Sequence, residues 1–272
     1  MVNTLGWRPG WDGHLLLFYD EESQRRSGVA AWVRRGLELG SKILYTQPRD
    51  DLPDRSLPGL LRDDPDALEA MERGQIQVVP ADPSTYDPAF IEATVDGALS
   101  EGYPSVRWSG DASTAWSVMP RSRHELIERA TDELCTSRPL SVLCQYPTLA
   151  SRDALGFLSQ AHGAGLREQL FQAAPVEGGL AVAGELDATN QKTLRSLLTT
   201  ATTAPEHDPF VLDLSWVEFL DLPAARALLF GTLDYRSGGG SVRLEAPQPQ
   251  VAQLIRLLGI DQAEGIQVGD TR

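Results

Sequence analysis

The feature that most constrains the fold is an alternation: short, nearly continuous apolar runs separated by stretches with helical spacing. The first run is His14-Leu-Leu-Leu-Phe-Tyr19, and a helical stripe through Val29, Trp32, Val33 and Leu37 follows it. Gly40 is placed to close that helix, since glycine accepts the left-handed conformation a C-terminal cap requires. Further runs lie at Lys42 to Thr46, Gln75 to Val79, Ser105 to Trp108 and Ser141 to Tyr146. Runs without a polar alternate face belong to strands buried on both sides. Strands joined through helices are parallel, so the first part should be a three-layer α/β unit with a mainly parallel sheet. The Pro-, Asp- and Arg-rich segment Gln47 to Pro65 reads as a surface loop or lid.

The pattern restarts near Leu166. Residues Leu170-Phe171 and Gly178 to Asp187 read as a strand pair, followed by a helix from about Asn190 to Thr200 and a strand from Phe210 to Leu214. Another helix starts at Pro223, and a last one opens at Pro249 and closes at Gly259 with Val251, Leu254, Ile255 and Leu258 on one face. A boundary between Ala164 and Glu168 divides the chain into residues 1–165 and 166–272.

Composition excludes several function classes. A formal net charge of -14 with no Lys/Arg-rich segment argues against direct nucleic-acid binding. No apolar run approaches the ~20 residues a bilayer span needs, and the start Met1-Val-Asn-Thr-Leu-Gly-Trp-Arg-Pro lacks a signal pattern. With only Cys135 and Cys144, a disulfide framework is not expected, which fits a reducing cytoplasmic setting.

Residues 166–272 resemble the STAS family, the anti-sigma factor antagonists. Three blocks carry the resemblance: Gly184-Glu-Leu-Asp187, then Val211-Leu-Asp-Leu-Ser215 with Phe219-Leu-Asp221, then Leu257-Leu-Gly-Ile260. The resemblance implies a sheet of about four strands with helices largely on one side, and a non-enzymatic module that binds an anti-sigma factor or related regulatory protein. Family members carry a phosphorylatable Ser or Thr just after the aspartate. Here Leu222 and Pro223 stand there, so no hydroxyl is available. A phosphate on a first helical turn is held by unsatisfied N–H groups and repels an acidic partner surface. Without it, Asp221, Leu222 and Pro223 form the expected partner-binding tip, with Asp221 as N-cap.

Residues 13 to 163 resemble the MEDS sensory domain, which the resemblance relates in fold to RecA/KaiC-type ATPases. The matching pieces are His14 to Tyr19, Gly74 to Val79, Glu101 to Asp111, Leu143-Cys-Gln-Tyr146 and His162. Two segments depart from the family pattern: Pro147-Thr148 replaces an Asp-Arg pair, and His124-Glu125 replaces an aromatic-Glu pair. ATP hydrolysis of the RecA type needs a loop ending in Gly-Lys-Ser/Thr, whereas the first strand leads into Asp20-Glu-Glu22. A degenerate RecA-like fold without catalysis is therefore expected.

Ligands of parallel sheets sit beyond the strands' carboxyl ends. Tyr19, Arg107, Asp111 and Tyr146 are the candidate small-molecule ligand residues, with Trp116, Glu125, Cys144 and His162 in support. A metal could draw on His14, Cys144 and His162 with Asp111 as fourth ligand, but their spacing matches no zinc motif. No metal and no cofactor are expected. The resulting reading is a bacterial signalling protein, with homodimerisation left open. The alternatives are an enzyme using the N-terminal pocket, as a degenerate ATPase or Cys-dependent transferase, and a ligand-free adaptor.

Overall fold

A computed structural model describes residues 9–49, 52–112, 114–115, 119–147, 162–167, 170–203 and 208–271. The chain divides into two compact units, comprising among these residues 11–147 with 162–164, and 9–10 with 165–271.

The first unit is built on five strands: β1 (His14–Tyr19), β2 (Lys42–Gln47), β3 (Ile76–Pro80), β4 (Val106–Asp111) and β5 (Leu140–Pro147). They pair in the order β1-β5-β4-β2-β3, and every pairing is parallel. The described helices are α1 (Glu22–Glu38), α2 (Leu57–Leu60), α3 (Pro65–Glu72), α4 (Pro88–Ser100) and α5 (Arg121–Ser137).

Strand alternation explains the two cores. Leu15, Leu17, Ile43, Tyr45 and Leu143 pack against Val29, Trp32 and Val33 of α1. On the opposite face Leu44, Val106, Trp108 and Val142 pack against Val95 and Ala98 of α4 and Ile127 of α5. Successive side chains of a strand point to opposite faces, so continuous apolar runs feed both layers at once. α1 ends as expected, with Gly40 at φ 68 just past its last turn.

The segment Gln47 to Pro65 is not simply a surface loop. Ser56 caps the short α2 by accepting the Gly59 N–H, and Leu57, Leu60 and Leu61 are buried in the α1-side core. Its Pro, Asp and Arg content describes the exposed positions and conceals the three leucines that anchor it.

The second unit holds β6 (Gly165–Arg167), β7 (Phe171–Val176), β8 (Gly179–Leu186), β9 (Phe210–Leu220), β10 (Val242–Glu245) and β11 (Ile266–Val268). These run in the order β11-β10-β9-β8-β7-β6, antiparallel between β6, β7 and β8 and parallel from β8 to β11. The sheet thus has six strands where about four were expected. The strand pair expected from Leu170-Phe171 and Gly178 to Asp187 is β7 and β8, antiparallel, with the turn at Gly178 and the first strand running on to Val176. Gly184 adopts φ +90 where the β8–β9 register shifts, and a Cβ there would lie 2.2 Å from the Leu170 carbonyl oxygen. The helices are α6 (Gln191–Ala201), α7 (Leu222–Gly231), α8 (Leu233–Ser237) and α9 (Pro249–Leu257), with α6 packed on α7 and α9 on β9.

Candidate functional site

Two polar clusters occupy opposite faces of the first sheet, and the strand period assigns residues to them. On β5, Gln145 faces α1, whereas Cys144 and Tyr146 face α5. Toward α1, the Tyr19 hydroxyl donates to Asp111 Oδ2 at 2.9 Å, and the Gln145 amide donates to Ser109 Oγ at 2.8 Å. The buried Arg25 guanidinium bridges Gln145 Oε1 (2.7 Å) and the Tyr45 hydroxyl (2.9 Å). Arg55 reaches Asp111 Oδ2 at 3.4 Å. Burial, then the Asp111 charge, pushes the Tyr19 hydroxyl pKa up, so that it stays protonated as the donor to this carboxylate.

Toward α5, the centre is Glu128, a residue outside the sequence-based candidates. Its Oε1 accepts from the Tyr146 hydroxyl at 2.9 Å and lies 2.9 Å from His124 Nε2. Its Oε2 lies 3.3 Å from His14 Nε2, 3.2 Å from His162 Nε2 and 3.6 Å from Cys144 Sγ. The His14 ring stacks on His162 with centroids 4.1 Å apart, and its Nδ1 lies 3.3 Å from Asp132 Oδ1. The same Asp132 oxygen accepts the Gly163 N–H at 2.8 Å, fixing the backbone next to His162.

Burial alone would raise the Glu128 pKa. The His162 charge and hydrogen bonds from His124 and His14 outweigh it and hold the carboxyl well below its usual range. For His14, burial pulls downward, but hydrogen bonds with Asp132 and Glu128 win and the pKa rises. Burial and then the Glu128 charge push the Cys144 thiol well up, the opposite of what an activated nucleophile needs.

A pocket of about 600 Å³, including its open side, lies at the carboxyl ends of β2 and β4. β2 connects outward to β3 and β4 back toward β5, so this is where the strand order reverses, the usual ligand position in such sheets. Its wall is largely apolar, from Ile91, Trp108, Ala115, Ile127 and Val142, with Thr46, Tyr86 and Asp111 among its polar groups. His124, Glu128 and Cys144 also line it, so the α5-side cluster can be reached from the pocket.

The sequence candidates therefore separate. Tyr19 and Asp111 meet on one face; Cys144, Tyr146 and His162 meet on the other. Arg107 joins neither. It lies at the start of β4, 3.7 Å above the Trp32 ring, bonded to Asp12 Oδ1 at 2.6 Å and to the Trp11 carbonyl. Asp111 belongs to the Tyr19 network, and Glu128 stands with His14, Cys144 and His162 in the place assigned to it as a fourth ligand. Glu125 is only partly buried, one helical step from the inward stripe of His124, Glu128 and Asp132. Trp116 lies outside the described residues. The i, i+4, i+8 spacing of that stripe was the available signal for Glu128.

In the second unit, Asp221 caps α7: Oδ1 accepts the Ala224 N–H at 2.8 Å and Oδ2 the Ala188 N–H at 2.9 Å. Leu222 and Pro223 form the first turn, and Leu222 is 44% exposed. Phe219, Phe230 and Leu233 are also exposed, whereas Ser215 is buried on β9.

The family model described as MEDS, the methanogen/methylotroph DcmR sensory domain, matches residues 13–163. The model described as the Mlab STAS domain matches residues 170–268. Among solved structures, that of the anti-sigma factor antagonist SpoIIAA in its unphosphorylated form aligns with a TM-score of 0.31 at 18% identity, covering 37% of this chain and 88% of that one. No curated protein matches the chain. Since the first match takes in more than half of the 272 residues, the chain belongs to the MEDS family, with a STAS match over the region that follows.

Proposed function

We propose that the chain is a signal-transduction protein in which the MEDS unit binds a small molecule and the STAS unit passes the signal to an anti-sigma factor or related regulatory protein. The observation that carries this reading is the tip of α7. Asp221 holds a well-capped first turn whose outward side chain is an exposed leucine, in the place where the STAS family carries its hydroxyl. That surface favours an apolar contact that is not broken by phosphorylation at this position, so control is assigned to the sensory unit. The pocket at the strand-order reversal, with apolar walls and a few polar groups, suits a small organic ligand.

We assign no catalysis. The N-terminus of α1, where a nucleotide-binding protein cradles phosphate, is closed by a capping box between Glu21 and Gln24, and Cys144 is held as a neutral thiol. Kinship with RecA-type ATPases belongs to the same reading as a relation of fold without hydrolysis.

Affinity capture from the native host, comparing the intact chain with Leu222→Asp, tests the relay. An anti-sigma-type regulator retained by the first and lost by the second supports it, and identical sets of captured proteins refute it.

A further inference from the structure

We propose that His14, Glu128, Cys144 and His162 form a buried site for a divalent transition-metal ion, with zinc the best match. The four residues come from β1, α5, β5 and the segment before β6, and their donor atoms all lie within 4.8 Å of one another.

Four of the six donor separations fit one ion, and all lie within 4.8 Å. Zinc bonds of about 2.0–2.1 Å to N or O and about 2.3 Å to S give tetrahedral edges of about 3.3–3.4 Å between N and O donors and about 3.6 Å to sulfur. The corresponding separations are 3.3 Å for His14 Nε2 to Glu128 Oε2 and 3.2 Å for His162 Nε2 to Glu128 Oε2. Those from Cys144 Sγ are 3.5 Å to His14 Nε2 and 3.6 Å to Glu128 Oε2. The two stacked imidazoles, at 4.1 Å between centroids, are closer than the roughly 5 Å of two rings on one tetrahedral ion, so loading spreads this pair.

The surrounding groups orient the donors. Asp132 on His14 Nδ1 turns Nε2 toward the cluster, the carboxylate–histidine arrangement common around bound metals. Tyr146 and His124 engage Glu128 Oε1, leaving Oε2 for the other three donors. Two imidazoles, a thiolate and a carboxylate exclude calcium and magnesium, which take oxygen ligands. Four protein donors leave no open position, so the ion would be structural or regulatory and would not activate water. On binding, the Cys144 thiol releases its proton to solvent, and the two negative ligands neutralise the dication. The adjoining pocket supplies an entry path. This inference does not depend on the relay through Leu222.

The full-length chain, stripped with a chelator, is titrated with cobalt(II). The expected result is saturation at one ion per chain, a thiolate-to-cobalt charge-transfer band, intense four-coordinate ligand-field bands, and displacement by zinc(II). Cys144→Ser loses the charge-transfer band and Cys135→Ser keeps it. Asp132→Asn weakens zinc binding roughly 10–100-fold in competition with a chromophoric chelator. The absence of saturable uptake, a six-coordinate spectrum, or a band that survives Cys144→Ser overturns the proposal. Circular dichroism establishes that each variant is folded. Should Cys144→Ser not fold, the wild-type spectrum decides alone: no charge-transfer band, no site.

Discussion

Glu128→Gln isolates the carboxylate on which the α5-side cluster depends. The substitution preserves size and removes the charge at a side chain 5% exposed, leaving His14, His124 and His162 without the anion they share. Breaking a buried ion pair by removing one partner costs about 3–5 kcal/mol. His14, whose pKa is raised in part by this carboxylate, can release its proton, which places the loss near the lower figure, about 3 kcal/mol. At about 2–4 °C per kcal/mol for a unit of this size, the melting temperature falls by roughly 6–12 °C. The experiment uses chelator-treated protein, so that the contacts of the carboxylate itself are read. Trp32 and Trp108 lie in the two cores of this unit, and tryptophan fluorescence follows its melting.

The sign with pH follows from the depressed Glu128 pKa. The advantage of wild type over the variant is present above the unfolded value of 4.5 and is lost as pH falls through the lower folded value. A loss below about 1 kcal/mol at neutral pH, or an advantage that grows on acidification, would refute this electrostatic account of the cluster.

Three further outcomes can be checked directly. Asp221→Ala removes the acceptor of the Ala224 and Ala188 N–H groups and should cost about 1–2 kcal/mol in denaturant melts of the second unit; an unchanged midpoint contradicts the cap. A phosphopeptide map after incubation with a cognate kinase should show no phosphate on Ser215, which is buried on β9; phosphate there would restore a hydroxyl switch. Burial pushes the Cys135 thiol to about 12, so mass spectrometry should find it unalkylated by iodoacetamide at pH 8 in native protein and alkylated in urea. Rapid native labelling would contradict that environment.

The strands were legible because their apolar runs serve two layers, a demand few other arrangements make. Leu15 and Leu16, or Leu143 and Val142, go to opposite faces, and no polar position interrupts them. The same alternation could have sorted Cys144 and Tyr146 from Gln145, but the candidates were gathered at one strand end without regard to face. Arg107 was misplaced for a related reason: β4 carries it opposite Ser141 at the start of β5, three pairs away from Cys144, which lies opposite Gly110. Glu128 was hidden by composition. Arg121 to Asp132 reads as a solvated helix surface, yet His124, Ile127, Glu128 and Thr131 are its buried side, and Glu128 meets partners as distant in sequence as His14, Tyr146 and His162. The cap at Asp221 was readable because it depends on residues within three positions of it, whereas β6 and β11, three residues each, have no periodicity to detect.

Under the proposed function, the apolar tip of α7 is the surface a regulatory protein grips. The most direct test is calorimetric titration of the purified, captured regulator into the intact chain and into Leu222→Asp. Reburying the exposed part of the leucine contributes roughly 1 kcal/mol, and desolvating a carboxylate in its place costs at least as much again. A loss of affinity of about 30-fold or more, with the variant's own melting unchanged, is the predicted result. Equal affinity for the two proteins would contradict it.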